Sequence, residues 1–348
     1  MGYNRDMFKS STPSIPQNMQ SDFSRDDVSL DQLVRPNTFI DYVGQDKIKT
    51  NLQTIIGAAQ KRGEVIDHIL LYGQAGLGKT TLAMLIAKEM NSHLRMTSGP
   101  SIEKAADLAT ILSGLEQGDV LFIDEIHRLN KMIEEMLYPA MESRVLHLVI
   151  GKGPAARMIS IDLPPFTLIA ATTRVNLLSN PLRSRFGATF RIDYYSQEDI
   201  AQIIERSARL MGLTINSEAV ELIARASRYT PRTANRLLRR VRDVMQIEDK
   251  EKIDAEVAQT ALDMFEIDEL GLEDHDRRLL KVLVEKFNGG PVGLSTLAAA
   301  ISEDKGTIED VYEPYLIKMG LLARTASGRV ATPETYRHLN IKKEEGFF

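Results

Sequence analysis

Three stretches of this chain place residues suited to phosphate chemistry at suitable spacings. Gly73-Gln74-Ala75-Gly76-Leu77-Gly78-Lys79-Thr80 fits the pattern G-x4-G-K-S/T. Glycines in such a loop let backbone N–H groups turn inward around phosphate oxygens, and the start of the following helix adds partial positive charge. Lys79 is then placed to reach β- and γ-phosphates, and the Thr80 hydroxyl to bind Mg²⁺. A glycine-rich turn without a ligand is the plainer alternative. Context argues against it, because the apolar run His68–Tyr72 comes immediately before the loop and a helical pattern, Thr80–Met90, immediately after.

The second stretch, Val120-Leu121-Phe122-Ile123-Asp124-Glu125, is an apolar strand that delivers two carboxylates at its end. Such a run is often only a strand entering a loop. Placed 45 residues after Lys79, Asp124 can instead hold Mg²⁺ through water and Glu125 can polarise an attacking water as general base. The third stretch, Phe166–Thr173, ends in polar Thr172 and Thr173. Arg183 and Arg185 follow in Pro-Leu-Arg-Ser-Arg-Phe-Gly. An arginine meeting the γ-phosphate as the transition state forms would accelerate hydrolysis, whereas an isolated one would read as a surface ion pair.

The elements that must position these residues alternate. His68–Tyr72, Val120–Ile123, Phe166–Ala171 and Ala188–Ile192 read as strands with helical periods between them, the pattern of a parallel sheet covered by helices. From Ser196 the strand signal stops. Ser196 with Asp199 resembles a capping box for a helix to Met211; Ser217 is expected to cap the next, to about Tyr229; Pro231 fits the first turn of a third, to about Ile247. Helical segments at Asp274–Phe287, Ser295–Ile301 and Thr307–Met319 precede a hairpin, Leu321–Arg324 and Arg329–Thr332, which is the order of a winged helix-turn-helix. The fold class is therefore α/β, with a P-loop parallel-sheet domain, a small helical domain and a C-terminal winged helix. The expected division is a disordered leader at 1–32, then domains at 33–195, 196–267 and 268–348.

At 348 residues, 43% hydrophobic and 26% charged, the balance is that of a soluble globular protein. There is no cysteine, which excludes disulfides and thiolate metal sites and fits a reducing cytoplasm. No apolar run approaches the length that spans a bilayer, and the polar N-terminus has no apolar core of a signal peptide. Net charge is −5, which gives no sign of nucleic-acid binding. Between Arg206 and Arg242, however, nine Arg stand against two acidic residues, a local balance of +7. A solvated helical face is the ordinary reading; nucleotide sensing and a subunit seam are favoured over direct DNA contact.

Longer motifs are more specific. P-loop, Asp-Glu strand, Thr-ended strand, Ser-Arg-Phe and a helical lid carrying Arg232 follow the order of AAA+ ATPases. Within these, the chain resembles the RuvB family in Leu33–Gln45, Leu121–Leu129, Leu137–Met141, Gly151–Arg157, Leu163–Thr173, Thr230–Arg242, Gly289–Ala300 and Thr307–Ile317. Together these cover about Leu33 to Leu339. Two departures stand out: Gln74-Ala75 where that family usually has Pro-Pro, and Ser143 and Arg144 where it more often has Asp and an aromatic.

The resemblance implies an ATP-driven motor for branch migration of Holliday junctions, acting on duplex arms as a hexameric ring in the cytoplasm. Val34 and Arg35 would border the adenine; Gly76, Gly78, Lys79, Thr80 and Thr81 would hold phosphates and Mg²⁺. Glu142, Ser143, Arg144 and Tyr195 would lie near the nucleotide, with Arg232 as the lid arginine sensing the γ-phosphate. Asp124, Glu125, Thr173 and Arg185 would form the catalytic set, Arg185 completing a neighbour's site. A finger acting on a neighbour requires a head-to-tail interface, which closes into a ring. Arg324 and Arg329 would contact DNA from the wing. Ile159 and Ile161, alternate residues on one face of a hairpin at Val145–Leu163, would dock RuvA, or else pack onto the ATPase core. The RuvC resolvase is a further implied partner; no membrane is. A clamp loader or initiator would share the nucleotide site but not the head or hairpin motifs. A nucleotide-switched transcription regulator would share the winged helix but would not need turnover.

Overall fold

The computed structural model describes residues 30–150 and 157–342. The expected leader lies outside the described residues as far as residue 29, as do residues 151–156 of the Gly151–Arg157 motif. Strands are numbered in chain order. Five of them, β1 (Ile69–Tyr72), β2 (Leu94–Ser98), β3 (Val120–Asp124), β6 (Thr167–Thr172) and β7 (Ala188–Arg191), form one sheet in the order β2-β3-β6-β1-β7. Every pairing in it is parallel. A parallel sheet sheltered on both faces needs continuous apolar strands, and β1, β3 and β6 supply them: all six residues of β6 are buried. β2 was not expected from the sequence. Its residues, Leu-Arg-Met-Thr-Ser, are only partly buried because it is the sheet edge, and Arg95 pairs with Asp119 at 3.2 Å.

Two cores flank this sheet. On one face Leu71, Phe122 and Ile169 pack with Leu82 and Ile86 of the helix Lys79–Glu89, and this core runs on into the lid through Ile204, Ile223 and Leu238. On the other, Leu70, Leu121 and Leu168 pack against Leu108 and Leu137. Of the lid helices, Gln197–Leu210 begins with the expected Ser196–Asp199 box and Pro231–Ile247 begins behind Thr230. The next expectation is corrected: Asn216, not Ser217, caps Ser217–Ala226, its side chain accepting from the Ala219 amide. A helix at Ala255–Met264, capped by Asp254, completes the lid and carried no strong sequence signal. The head packs Asp274–Phe287, Leu294–Ile301 and a further helical run through Ile308–Tyr312 and Glu313–Lys318 around its own core. The wing follows as β8 (Leu322–Thr325) and β9 (Gly328–Ala331), paired antiparallel.

Candidate nucleotide site and its surroundings

Because β1, β3 and β6 are parallel and adjacent, their C-terminal ends open on one edge, the place where open α/β sheets bind ligands. There a cleft of about 380 Å³ gathers Val34, Arg35, Gly76, Gly78, Lys79, Thr80, Thr81, Asp124, Glu125, Thr173, Tyr195 and Arg232. Residues more than 150 positions apart are thus brought around one volume. The cleft lies against both the sheet domain and the lid.

The loop's shape depends on glycine. Gly73 has φ 149°, and a Cβ there would stand 2.3 Å from the Ile192 carbonyl oxygen. Gly78 (φ 93°) precedes the helix Lys79–Glu89, and a Cβ would meet the Tyr42 hydroxyl at 2.9 Å. Lys79 Nζ donates to the Gly73 and Gln74 carbonyls, each at 2.7 Å. Burial lowers its ammonium from the ordinary value to about 8, while Asp124 pulls the other way and Arg232 adds to the lowering. A charge held at such cost favours an anionic occupant, since phosphate would stabilise the protonated form.

Asp124 Oδ1 accepts from the Glu125 amide at 2.9 Å. Glu125 sits in the left-handed region (φ 48°), which turns the chain sharply at the end of β3, and its carboxylate pairs with Arg128 at 3.1 Å. Beside it the Thr172 hydroxyl meets His127 Nδ1 at 2.9 Å, fixing the end of β6 on which Thr173 stands. The Tyr42 and Tyr195 hydroxyls lie 3.1 Å apart over the Leu77 carbonyl. Burial pushes Tyr42 up to about 12 and Tyr195 further, so both remain neutral hydrogen-bonding groups. Arg232 enters on the lid: its backbone amide donates to the Gly76 carbonyl at 3.4 Å.

Sequence reasoning missed several lining residues. Tyr42, Ile203, Arg206 and Asn235 all face the cleft, and Arg206 Nη1 holds the Val34 carbonyl at 2.7 Å. The one available signal was the basic stretch. Much of that stretch is ion-paired within the chain: Arg228 with Asp276, Arg236 with Glu273, Arg239 with Asp31, and Arg240 and Arg242 with Asp243.

Four expected site residues are not brought to the cleft of their own chain. Glu142 ends the helix Lys131–Glu142, Ser143 caps it and Arg144 (φ 56°) turns into β4 (Val145–Ile150). Arg185 stands with Glu142 instead of the phosphate loop.

The hairpin pairs β4 with β5 (Arg157–Asp162), placing Leu146 opposite Ile161 and Leu148 opposite Ile159. The two isoleucines share a face, but their surroundings differ. Ile161 is packed against the core beside fully buried Leu146, whereas Ile159 is 45% exposed. On the opposite face Val149 and Met158, paired across the ribbon, are also exposed. The wing arginines differ as well. Arg324 is half-exposed and pairs with Glu309 at 3.0 Å. The expectation that both face DNA is corrected at Arg329, which is buried and gripped by Glu313 through Nε at 2.5 Å and Nη2 at 3.1 Å. Arg329 stands directly opposite Arg324 and shares its face, but β9 is flanked by both β8 and the Val292 bridge, so Arg329 is covered while Arg324 lies on the edge strand.

A parallel sheet with a P-loop, a carboxylate-ended strand, a threonine-ended strand and a helical lid whose arginine lines the same cleft defines a nucleotide-binding AAA+ ATPase. Three family profiles match in succession: the Holliday junction DNA helicase RuvB P-loop domain over residues 34–192, the RuvB AAA lid domain over 195–268 and the RuvB C-terminal winged helix domain over 269–340. The chain belongs to the RuvB family. Its structure matches the Thermotoga maritima RuvB Holliday junction branch migration motor with a TM-score of 0.82 at 45% identity, covering 89% of this chain and 99% of that one. A proline-to-glycine variant of the Thermotoga protein matches with a TM-score of 0.83 at 45% identity, over 88% and 99% of the two chains. The chain is accordingly an ATP-hydrolysing DNA motor of the branch-migration class.

Proposed function

We propose that this chain uses ATP in the cleft between sheet domain and lid to drive branch migration, as a head-to-tail hexameric ring on duplex arms of a Holliday junction. The observation that carries the proposal is the division of the catalytic set: twelve expected residues line one cleft, while Arg185 with Glu142 stands apart on the same chain. A site missing its arginine is completed by a neighbouring copy, and repetition of that contact closes a ring. Glu142, Ser143 and Arg144, adjacent to Arg185, then reach the nucleotide of the next subunit.

Within the cleft, Val34, Arg35 and Tyr195 frame the base, and Gly76, Gly78, Lys79, Thr80 and Thr81 bind phosphates. Mg²⁺ fits the donors present: a hydroxyl at Thr80 and a carboxylate at Asp124, and among the described residues no cluster of three or more His, Cys, Asp or Glu forms a cage. That sparse set suits an ion that shares its ligands with substrate phosphates. When bound, the ion neutralises charge on the phosphates. Glu125 orients and deprotonates the attacking water, Thr173 holds the γ-phosphate side, and Arg232 couples that phosphate to the lid.

RuvA docks on the exposed part of the hairpin around Ile159, and Arg324 grips duplex phosphate from the wing. Among the described residues no helix is long and apolar enough to cross a membrane, in keeping with a cytoplasmic machine that hands junctions to the RuvC resolvase. The test is junction migration measured with RuvA present. Migration under ATP turnover, absent with a non-hydrolysable analogue, is the expected result; equal action with the analogue would identify a nucleotide-switched DNA binder instead.

A further inference from the structure

Arg174 follows Thr173 directly, so it stands one residue beyond the wall of the nucleotide cleft. Its backbone amide donates to Thr172 Oγ1 at 3.0 Å, the same hydroxyl that meets His127. Its side chain leaves the ATPase domain altogether and reaches the head. Arg174 Nε donates to Asp310 Oδ1 at 2.6 Å, a second bond joins Nη2 to the same carboxylate, and Glu309 lies 3.8 Å away. Glu309 and Asp310 belong to the π-helical turn Ile308–Tyr312, a geometry that recurs at functional positions. Glu309 also binds Arg324 of the wing at 3.0 Å. The buried Arg329 is gripped by Glu313 and also lies 3.8 Å from Glu309. Three carboxylates, Glu309, Asp310 and Glu313, and three arginines, Arg174, Arg324 and Arg329, therefore form one balanced network of charges, from the end of β6 to the wing.

We propose that Arg174, Glu309 and Asp310 are positioning residues that tie the DNA grip of the head to the Thr173 side of the nucleotide site. The inference rests on the reading of Arg324 as a phosphate contact. Duplex phosphate and Glu309 compete for the same guanidinium. When DNA takes Arg324, Glu309 is left beside an anion and is repelled from it, which favours its closer pairing with Arg174. Arg174 is anchored to Thr172, so a change in its ion pair acts on the strand end that carries Thr173. By reciprocity, whatever the nucleotide does to that strand end alters the affinity of the wing for DNA.

The experiment uses the full-length protein and measures duplex affinity across salt together with the ratio of duplex-stimulated to basal ATPase. Glu309→Gln should tighten duplex binding roughly two- to fivefold, because a half-buried competitor for Arg324 is removed. Arg174→Glu should lower the stimulation ratio by roughly fivefold, and combining it with Asp310→Arg, which restores an ion pair with its sense reversed, should recover most of it. A merely structural pair would not change the ratio in variants that still fold and bind ATP. If Arg324→Ala leaves duplex affinity unaltered, the DNA contact itself is misplaced and the link falls with it. If Arg324→Ala weakens binding but Glu309→Gln changes neither quantity, or the reversed pair restores nothing, the DNA contact stands and the proposed tie is overturned.

Discussion

Arg185 Nη2 lies 3.1 Å from the Glu142 carboxylate, and the Arg185 guanidinium carbon stands 4.4 Å from the centre of the Tyr138 ring. Among the described residues its Nε is buried without a hydrogen-bond partner. The side chain is thus held against one helix by charge and ring contact while one donor remains unused, which suits a group whose full set of partners comes from a neighbouring copy. Arg185→Ala should bind ATP normally and hydrolyse it at least about a hundredfold more slowly. Mixing it with Lys79→Ala protein should restore some turnover, at seams pairing an intact site with an intact arginine. Absence of recovery in demonstrably mixed rings would place its action within its own subunit.

Lys79→Ala should abolish nucleotide binding. The ammonium is the main phosphate-facing charge and is already held in a buried position by two loop carbonyls. Titration with a fluorescent ATP analogue checks this, and near-normal affinity would contradict the assignment.

Glu125→Gln should separate binding from turnover. The amide keeps the shape of the carboxylate but cannot take a proton, and Asp124 and Thr80 are untouched. ATP affinity should stay within about threefold while hydrolysis falls by roughly a hundredfold or more, the contribution of a positioned general base. Turnover at the unsubstituted rate would assign the water to another residue.

The hairpin isoleucines should give different phenotypes. Ile159→Asp adds charge at a half-exposed position on β5, so the fold and basal ATPase should persist while RuvA binding in pull-down is lost. Ile161→Asp places a carboxylate against the core beside Leu146, and should destabilise the protein by a few kcal/mol because that charge cannot be desolvated cheaply. Retained RuvA binding by the Ile159 variant would move the docking surface elsewhere.

Wing arginines should separate in the same way. Arg324→Ala should weaken duplex binding similarly for unrelated sequences and reduce the slope of log affinity against log salt by about 1, the loss of one phosphate contact. Arg329→Ala strands the buried carboxylate of Glu313 and should cost about 3–5 kcal/mol of head stability, seen as a lower melting temperature. An unchanged salt slope for Arg324→Ala in a folded protein would remove it from the DNA surface.

Sequence alone determined the elements with strong local signals. The phosphate loop was legible because its glycines, Lys79 and Thr80 are contiguous, and because the strand before and helix after carry continuous apolar patterns. β3 and β6 were legible for the same reason, as were the Ser196–Asp199 box and the helix Asp274–Phe287, whose capping and periodicity are local. The edge strand β2 and the helix Ala255–Met264 were not, since a half-exposed strand mixes polar residues and this helix buries mainly small alanines beside Val257 and Leu262, a weak apolar stripe. Tertiary structure alone decided which charges are available. Arg324 and Arg329 look equivalent on either side of a turn, yet Arg329, on the strand flanked from both sides, is buried against Glu313, while Arg324, on the edge strand, stays near the surface. Likewise the nine arginines of the lid stretch read as a basic face, but at least five are ion-paired, and Arg228, Arg236 and Arg239 find carboxylates distant in sequence. Burial and ion pairing depend on what the rest of the chain brings to a position, and a one-dimensional spacing does not contain that.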